Sequence, residues 1–369
     1  SSAAAFTPQI TTDSSGRYVF AIWDNAPNIQ TARSSDFSQT WSLTNNFGPG
    51  TNPQIVTDNS GKFVFAIWDD GPNIQTARSS DFGQTWTTLT PALGTGSQPQ
   101  ITTDSSGQFV FAIWRDGGGI IQRARSADFG ENWTTIVPDF GSGDNPQITT
   151  DSSGEFVFAI WDSGPNIQTA RSADFGETWT KKVPDFGSGE IPQIVTDSSG
   201  QFVFVIWFDG GIIQTARSAD FGENWSSLTA LGTGDVPQIA TDSSGKFVFA
   251  IWEDAGDIQI AKSDDFGQTW TVLAPALGTG DTTQIVTDIS GRYVFAIWVD
   301  GSDVQTARSD DFGQTWTVLA PALGTGDRPQ IATNSTGRYV FPIWVDTNIF
   351  TSQGLRTFFP LTTFSISRN

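Results

Sequence analysis

The chain has 369 residues, a formal net charge of −20, and no Cys, His or Met. Disulfides, thiol chemistry and Cys- or His-based metal centres are thereby excluded, along with the commonest general base. The acidic balance repels nucleic acid and anionic membrane surfaces, no run reaches membrane-spanning length, and 38 Gly, 18 Pro and 29 Phe among many Val, Ile and Thr argue for strands.

The first residues, Ser1-Ser2-Ala3-Ala4-Ala5, are small and carry no initiating Met. They suit a signal-peptidase product, so a secreted or cell-surface protein is expected. A repeat starts at Pro8-Gln9-Ile10. It returns at Pro53, Pro99, Pro146, Pro192, Pro237 and Pro329, with Thr283 in the seventh unit. The units are 8–52, 53–98, 99–145, 146–191, 192–236, 237–282, 283–328 and 329–369. A period of 45–47 residues fits a four-stranded propeller blade. The predicted fold is all-β: one β-propeller domain over 1–369, with eight blades of four antiparallel strands in one ring. A seven-bladed ring with a stray unit is the alternative.

Unit two illustrates the plan. Pro53 to Thr57 is a first strand, and Asp58-Asn59-Ser60-Gly61 a turn. Phe63 to Trp68 is a second strand without polar alternation, so both its faces are covered. Asp69 to Pro72 is a loop, and Asn73 to Ser79 a third strand. An octapeptide then turns the chain into a fourth strand, Thr85 to Leu89, and Thr90 to Gln98 links to the next unit. The last unit keeps its first two strands, including Tyr339 to Trp344. Asn348 to Gln353 echoes the third strand, and Arg356 to Phe364 is expected as a divergent fourth.

The octapeptide Ser79-Ser80-Asp81-Phe82-Gly83-Gln84-Thr85-Trp86 has seven copies, the others ending at Trp41, Trp133, Trp179, Trp225, Trp270 and Trp316. Its acids are Asp36, Asp81, Asp128, Asp174, Asp220, Asp265 and Asp311. A short Asp accepts hydrogen bonds from backbone N–H groups just ahead of it, and Gly two residues on supplies positive φ. The Trp then gives the hairpin a large surface to bury, roughly 4–6 kcal/mol if burial is complete.

This octapeptide resembles the Asp box, or BNR repeat, of sialidases and related β-propellers. Ser38 replaces the Gly in the first copy, and Asn132 and Asn224 replace the Thr in the third and fifth. The resemblance implies a structural role for the box on the hairpin between third and fourth strands. It also implies that ligands bind on the opposite face. Sialidase chemistry would require an arginine cluster, a tyrosine nucleophile with a partnering Glu, and an acidic Asp. The only tyrosines, Tyr18, Tyr293 and Tyr339, fill a slot held elsewhere by Phe63, Phe109, Phe156, Phe202 and Phe247. The repeated Arg33, Arg78, Arg125, Arg171, Arg217 and Arg308, with Lys262, read as structural partners for carboxylates. No asymmetric catalytic cluster emerges, so the expectation is a non-catalytic member.

Variation between units concentrates in the loops joining second and third strands, and loops on a rigid scaffold are where binding usually resides. The candidate ligand-binding residues are Asp70, Arg115, Asp116, Asp162, Phe208, Asp209, Glu253, Asp254, Asp300 and Asp346. The Asp13-Ser14-Ser15-Gly16 turn and its relatives resemble fragments of calcium loops. They lack the alternating acids and bidentate Glu of such a loop, so capped hairpin turns are the simpler reading. No cofactor is expected beyond weak calcium, and no specific metal residue is assigned. The expected function is lectin-like recognition of a glycan or cell-surface polymer through repeated sites, without nucleic acid or membrane insertion. The alternative is a self-assembling structural subunit of a surface layer, fibre or appendage. A sialidase-type glycoside hydrolase is the third reading.

Overall fold

The computed structural model describes residues 7–25, 27–136, 138–226, 228–346, 349–352, 354–355 and 363–366. Two compact units divide the chain, Ser1–Asp185 and Phe186–Asn369. The architecture is an all-β β-propeller with eight antiparallel sheets, or blades, four in each unit. Every blade runs in simple order from first to fourth strand.

Blade two consists of Thr51–Thr57, Val64–Asp69, Asn73–Ser79 and Thr87–Thr88, and the short strand Gly94–Thr95 of the link also pairs with Asn73–Ser79. Ile55, Ala66, Ala77 and Thr88 stand opposite one another across it. The first strand starts two residues earlier than the Pro anchor suggests. The fourth strand is shorter than expected because Gln84, Thr85 and Trp86 belong to the turn. Ser42–Pro49, Thr229–Thr233 and Thr317–Thr325 make longer fourth strands in blades one, five and seven. In the last blade the third and fourth strands are Ile349–Ser352 and Thr363–Ile366. The fourth therefore starts later than expected, and 356–362 lies outside the described residues.

The second strand is the core of each blade. Val64, Phe65, Ala66, Ile67 and Trp68 are all buried, which explains the missing polar alternation. In unit one, Phe20, Ile22 and Ile29 of blade one pack against Ile55, Val64, Ala66, Trp68 and Ala77 of blade two. In unit two, Phe249, Ile251 and Ile258 pack in the same way on Ile285, Val294, Ala296 and Trp298. Within each unit, neighbouring blades thus pack against one another through their second strands, and the same contact is repeated.

This corrects the expectation about tryptophan. The fully buried indoles are those ending the second strands, Trp68, Trp114, Trp161, Trp207, Trp252, Trp298 and Trp344. The octapeptide indoles Trp41, Trp86, Trp133, Trp179, Trp225, Trp270 and Trp316 are half-buried. They sit at the outer edge of the blade, with no further strand to cover them.

The turns between first and second strands tie blades together. Asp58 accepts from the Phe63 N–H at 3.0 Å and from the Ser60 hydroxyl at 2.5 Å, so it caps its own hairpin. The turn also donates from Asn59 N to Ser105 O and accepts from Ser14 N, each at 3.0 Å. Serines 198 and 243 continue the same pattern in unit two. The link glycines have a steric reason: a Cβ on Gly143 would lie 2.3 Å from Cδ1 of Trp161.

Candidate functional site

Antiparallel order puts two kinds of segment at each end of a blade. One end carries the first turn and the octapeptide hairpin. The other carries the loop between second and third strands and the link to the next blade.

At the octapeptide end, Asp81 accepts from the Thr85 N–H at 2.9 Å, the Thr85 hydroxyl at 2.6 Å and the Ser79 hydroxyl at 2.8 Å. Ser79 Oγ in turn accepts from the Gly83 N–H at 2.9 Å. Phe82 and Gly83 both have positive φ, +62° and +72°. Partial burial pushes the Asp81 carboxyl up, but the hydrogen bonds from Thr85, Ser79 and Gln84 outweigh it and hold it below the ordinary carboxylate range. Asp36, Asp128, Asp174, Asp265 and Asp311 show the same balance and direction. Asn132 and Asn224 substitute for Thr through their amides, at 2.7 Å to Asp128 and Asp220.

The repeated arginines reach this end of the neighbouring blade. Arg33 donates to Phe82 O at 2.9 Å, Arg78 to Phe129 O at 3.1 Å, and Arg217 to Phe266 O at 3.2 Å. Arg78 and Arg125 also form 2.7 Å ion pairs with Glu131 and Glu177. Their main acceptor is therefore a backbone carbonyl, with a carboxylate added where the neighbour supplies one. Tyr18 stacks on Phe82 at 4.6 Å, just as Phe63 stacks on Phe129 at 4.5 Å. The tyrosine occupies an aromatic packing slot.

At the loop end, the candidate acids hold the links in place. Asp209, Asp254, Asp300 and Asp346 accept from Ser188, Thr233, Thr279 and Thr325 of the preceding link, at 2.7, 2.9, 3.0 and 3.3 Å. Asp162, 8% exposed, accepts from Asn145 at 2.7 Å. Asp70 accepts from the Asn73 N–H and the Gln75 amide. Burial pushes the Asp116 carboxyl up, but bonds from Ile120 N–H, Gly118 N–H and Gln122, with the Arg115 charge, hold it low. Arg115 itself pairs with Asp144 at 2.5 Å. Phe208 packs on the hydrophobic cluster around Trp252, and Glu253 stands opposite Asp235 in the sheet. These residues share one end of the blades, each with local partners. Among the described residues no three acidic side chains converge to hold a metal ion.

A concavity of about 420 Å³ opens at this end of blade four. Phe140, Gly141 and Ser142 of the preceding link form one wall, and Ser163 and Gln168 another. Lys181, Lys182, Val183, Pro184 and Asp185 complete it. Lys181 Nζ donates to Phe140 O at 2.9 Å. Lys182 donates to the carbonyls of Pro184 and Asp185. Burial pushes the Lys182 amine down, and the Asp185 charge opposes that. Behind the wall, the Arg123 guanidinium lies 3.9 Å from the centre of the Phe140 ring, whose stacking partner Trp161 is 4.8 Å away. Arg123 is 4% exposed, and burial lowers its pKa to about 10, against the pull of Asp139. Attention to the second-to-third loops misses these residues. The available signal was departure from the repeat on third and fourth strands.

No protein-family profile and no curated protein matches the chain. Solved structures do match. YCF48 bound to D1 peptide has a TM-score of 0.53 at 18% identity, covering 84% of this chain and 98% of that one. A eukaryotic initiation factor has a TM-score of 0.58 at 9% identity, covering 97% and 87%. A prolyl endopeptidase has a TM-score of 0.56 at 9% identity over 95% of this chain, which spans only 55% of that protein. The chain is similar to these proteins in fold, and YCF48 and the prolyl endopeptidase are β-propeller proteins.

Proposed function

We propose that this chain is a non-catalytic, carbohydrate-binding propeller acting outside the cell. The observation that carries the reading is the concavity at the loop end of blade four. It combines hydroxyl, amide and carboxylate groups (Ser142, Ser163, Gln168, Asp185) with apolar Phe140, Val183 and Pro184. Sugars present hydroxyls on their edges and C–H groups on their faces, so this mixture matches them. Repetition of polar loops at the same end of all blades favours multivalent contact with a glycan surface, where avidity offsets weak single sites. The resemblance of the octapeptides to Asp boxes supports a structural role at the opposite end. The packed tyrosines and carbonyl-bound arginines supply neither a nucleophile nor an anion-binding triad, which supports a binding role over sialidase-type hydrolysis.

A glycan array probed with the purified chain, with calcium and with chelator, tests this. Reproducible binding to one glycan class is expected in both conditions. A blank array refutes the reading, and turnover of a fluorogenic sialoside would replace it with an enzymatic one. One observation favours a second reading, a self-assembling surface subunit. Leu43, Leu228, Val272 and Val318 are exposed aliphatic residues on or beside fourth strands. Sedimentation across a concentration series separates the two, because a monomer throughout counts against assembly.

A further inference from the structure

We propose that the blade-four concavity takes the anionic group of an acidic saccharide, a carboxylate or a sulfate, with Lys181 as its contacting cation. This deepens the carbohydrate reading and rests on it.

The first argument is where the cations stand in the repeat. Lys181 occupies the position of Thr88, Thr135, Val272 and Val318. Lys182 occupies that of Leu89, Ile136, Leu273 and Leu319. Arg123 occupies that of Thr31, Thr76, Thr169, Thr215 and Thr306, and of Ile260. Three positions that are neutral in these other blades are cationic here, in a chain of net charge −20. They also meet in space. Lys181 and Lys182 line the concavity, and Arg123 lies against the inner side of its Phe140 wall. Long-range attraction of an anion to so acidic a chain is weak, so a local cluster of this kind is what an anionic ligand requires.

The second argument is hydrogen-bond capacity. A lysine ammonium has three donors. Lys181 is exposed and places one on Phe140 O, so two remain to point at a ligand. Lys182 fixes the far wall through the carbonyls of Pro184 and Asp185. Arg123 Nε and Nη1 are buried without hydrogen-bond partners, and the nearby Asp139 charge favours the cation without bonding those two nitrogens. Stacking of the guanidinium on the phenyl face explains how it is held there, though not why Thr was replaced.

The third argument selects a saccharide over a small inorganic anion. Ser142, Ser163 and Gln168 surround the lysines with neutral hydrogen-bonding groups. Asp185 is held by the Asn166 amide at 2.9 Å and adds an acceptor for hydroxyls. Val183, 87% exposed, forms an apolar lip beside Pro184 on which a pyranose C–H face can rest. An inorganic anion accepts from the hydroxyls and the Gln168 amide but uses neither the Asp185 carboxylate nor the apolar lip.

The test uses titration calorimetry on the full chain with four probes: an oligogalacturonate, its carboxyl-reduced neutral counterpart, a sulfated oligosaccharide and inorganic sulfate. Variants Lys181→Thr and Lys182→Leu restore the residues of other blades, which protects folding. Lys181→Arg retains the charge. The expected result is at least tenfold tighter binding of one acidic oligosaccharide than of the neutral one, lost in K181T and retained in K181R. Which acidic probe binds tells carboxylate from sulfate. Equal binding of acidic and neutral oligosaccharides, unchanged in K181T, overturns this inference and leaves the carbohydrate reading standing. Inorganic sulfate binding as tightly as the sulfated oligosaccharide overturns the saccharide assignment. Failure of every saccharide to bind, there and on the array, overturns both.

Discussion

Replacing Gly83 with Ala separates two costs that usually act together. Gly83 has φ +72°, and a Cβ built there would lie 2.8 Å from Cε1 and 3.0 Å from Cδ1 of Phe20 in the neighbouring blade. Left-handed backbone costs an L-residue roughly 1–2 kcal/mol, part of which returns through reduced freedom of the unfolded chain. Phe20 is 1% exposed and sits in a packed cluster, so it cannot retreat, and overpacking adds about 1–3 kcal/mol. The expected total is about 2–4 kcal/mol. Gly48→Ala is the internal control, because Gly48 has φ +85° with nothing within 4 Å. Only the backbone cost applies there, about 1 kcal/mol. Blade one supplies a third comparison. Ser38 holds the same hairpin position at φ +66°, and its hydroxyl accepts from Trp41 Nε1 at 2.9 Å. Trp86 Nε1 is buried without a partner. Gly83→Ser should therefore recover about 1 kcal/mol relative to Gly83→Ala by supplying that acceptor. Urea unfolding followed by tryptophan fluorescence measures all three. If Gly83→Ala and Gly48→Ala agree within about 0.5 kcal/mol, the contact between Phe20 and the hairpin carries no packing cost and the reasoning fails.

Three further outcomes are expected. The carboxyls of Asp36, Asp81, Asp128, Asp174, Asp265 and Asp311 are held below their unfolded value of about 3.9, so their contribution is complete above that pH and disappears as pH falls through the folded values. Asp81→Asn should accordingly melt below the parent chain at pH 7, with the gap closing below about pH 4 in thermal scans. Arg78→Ala removes bonds to Phe129 O and Glu131 and should cost about 1–2 kcal/mol in urea, whereas Glu131→Gln, on an exposed carboxylate, should cost under about 0.5. Lys182→Leu should raise stability by roughly 0.5–1 kcal/mol, because a half-buried ammonium leaves a slot that is apolar in other blades. A lower midpoint for that variant would show that its carbonyl bonds outweigh desolvation.

Much of the blade was readable from the chain because its signals are local. Asp58, Ser60 and Gly61 close a turn with their own atoms, and the unbroken run Val64 to Trp68 can only be covered on both faces. Tryptophan burial was less readable. Trp68 and Trp86 look alike in sequence, and only the neighbouring blade decides that one is enclosed and the other half-covered. The acidic loops show the same limit. Asp209 and Asp254 look available for a ligand until the fold brings Ser188 and Thr233 onto them from the preceding link. The concavity was invisible because its walls, Phe140, Gln168 and Lys181, belong to a link, a third strand and a fourth strand.

In a chain this repetitive, a departure from the repeat is informative only after its local compensation is known. Arg115 departs from the acids and hydrophobics at its position, and Asp144 lies 2.5 Å away to account for it. Lys62 and Lys246 sit over Phe63 and Phe247 at 4.9 and 5.0 Å on exposed turns, where a cation costs little. Arg123 is different, with two buried nitrogens that lack hydrogen-bond partners. Lys181 differs too, since one carbonyl accounts for only a third of its donors. Threonine, which most other blades carry at the Arg123 position, would remove the desolvation cost without disturbing the sheet. Retaining cations there requires a benefit that the packing of blades three and four does not itself provide, and the concavity they adjoin is where such a benefit can arise.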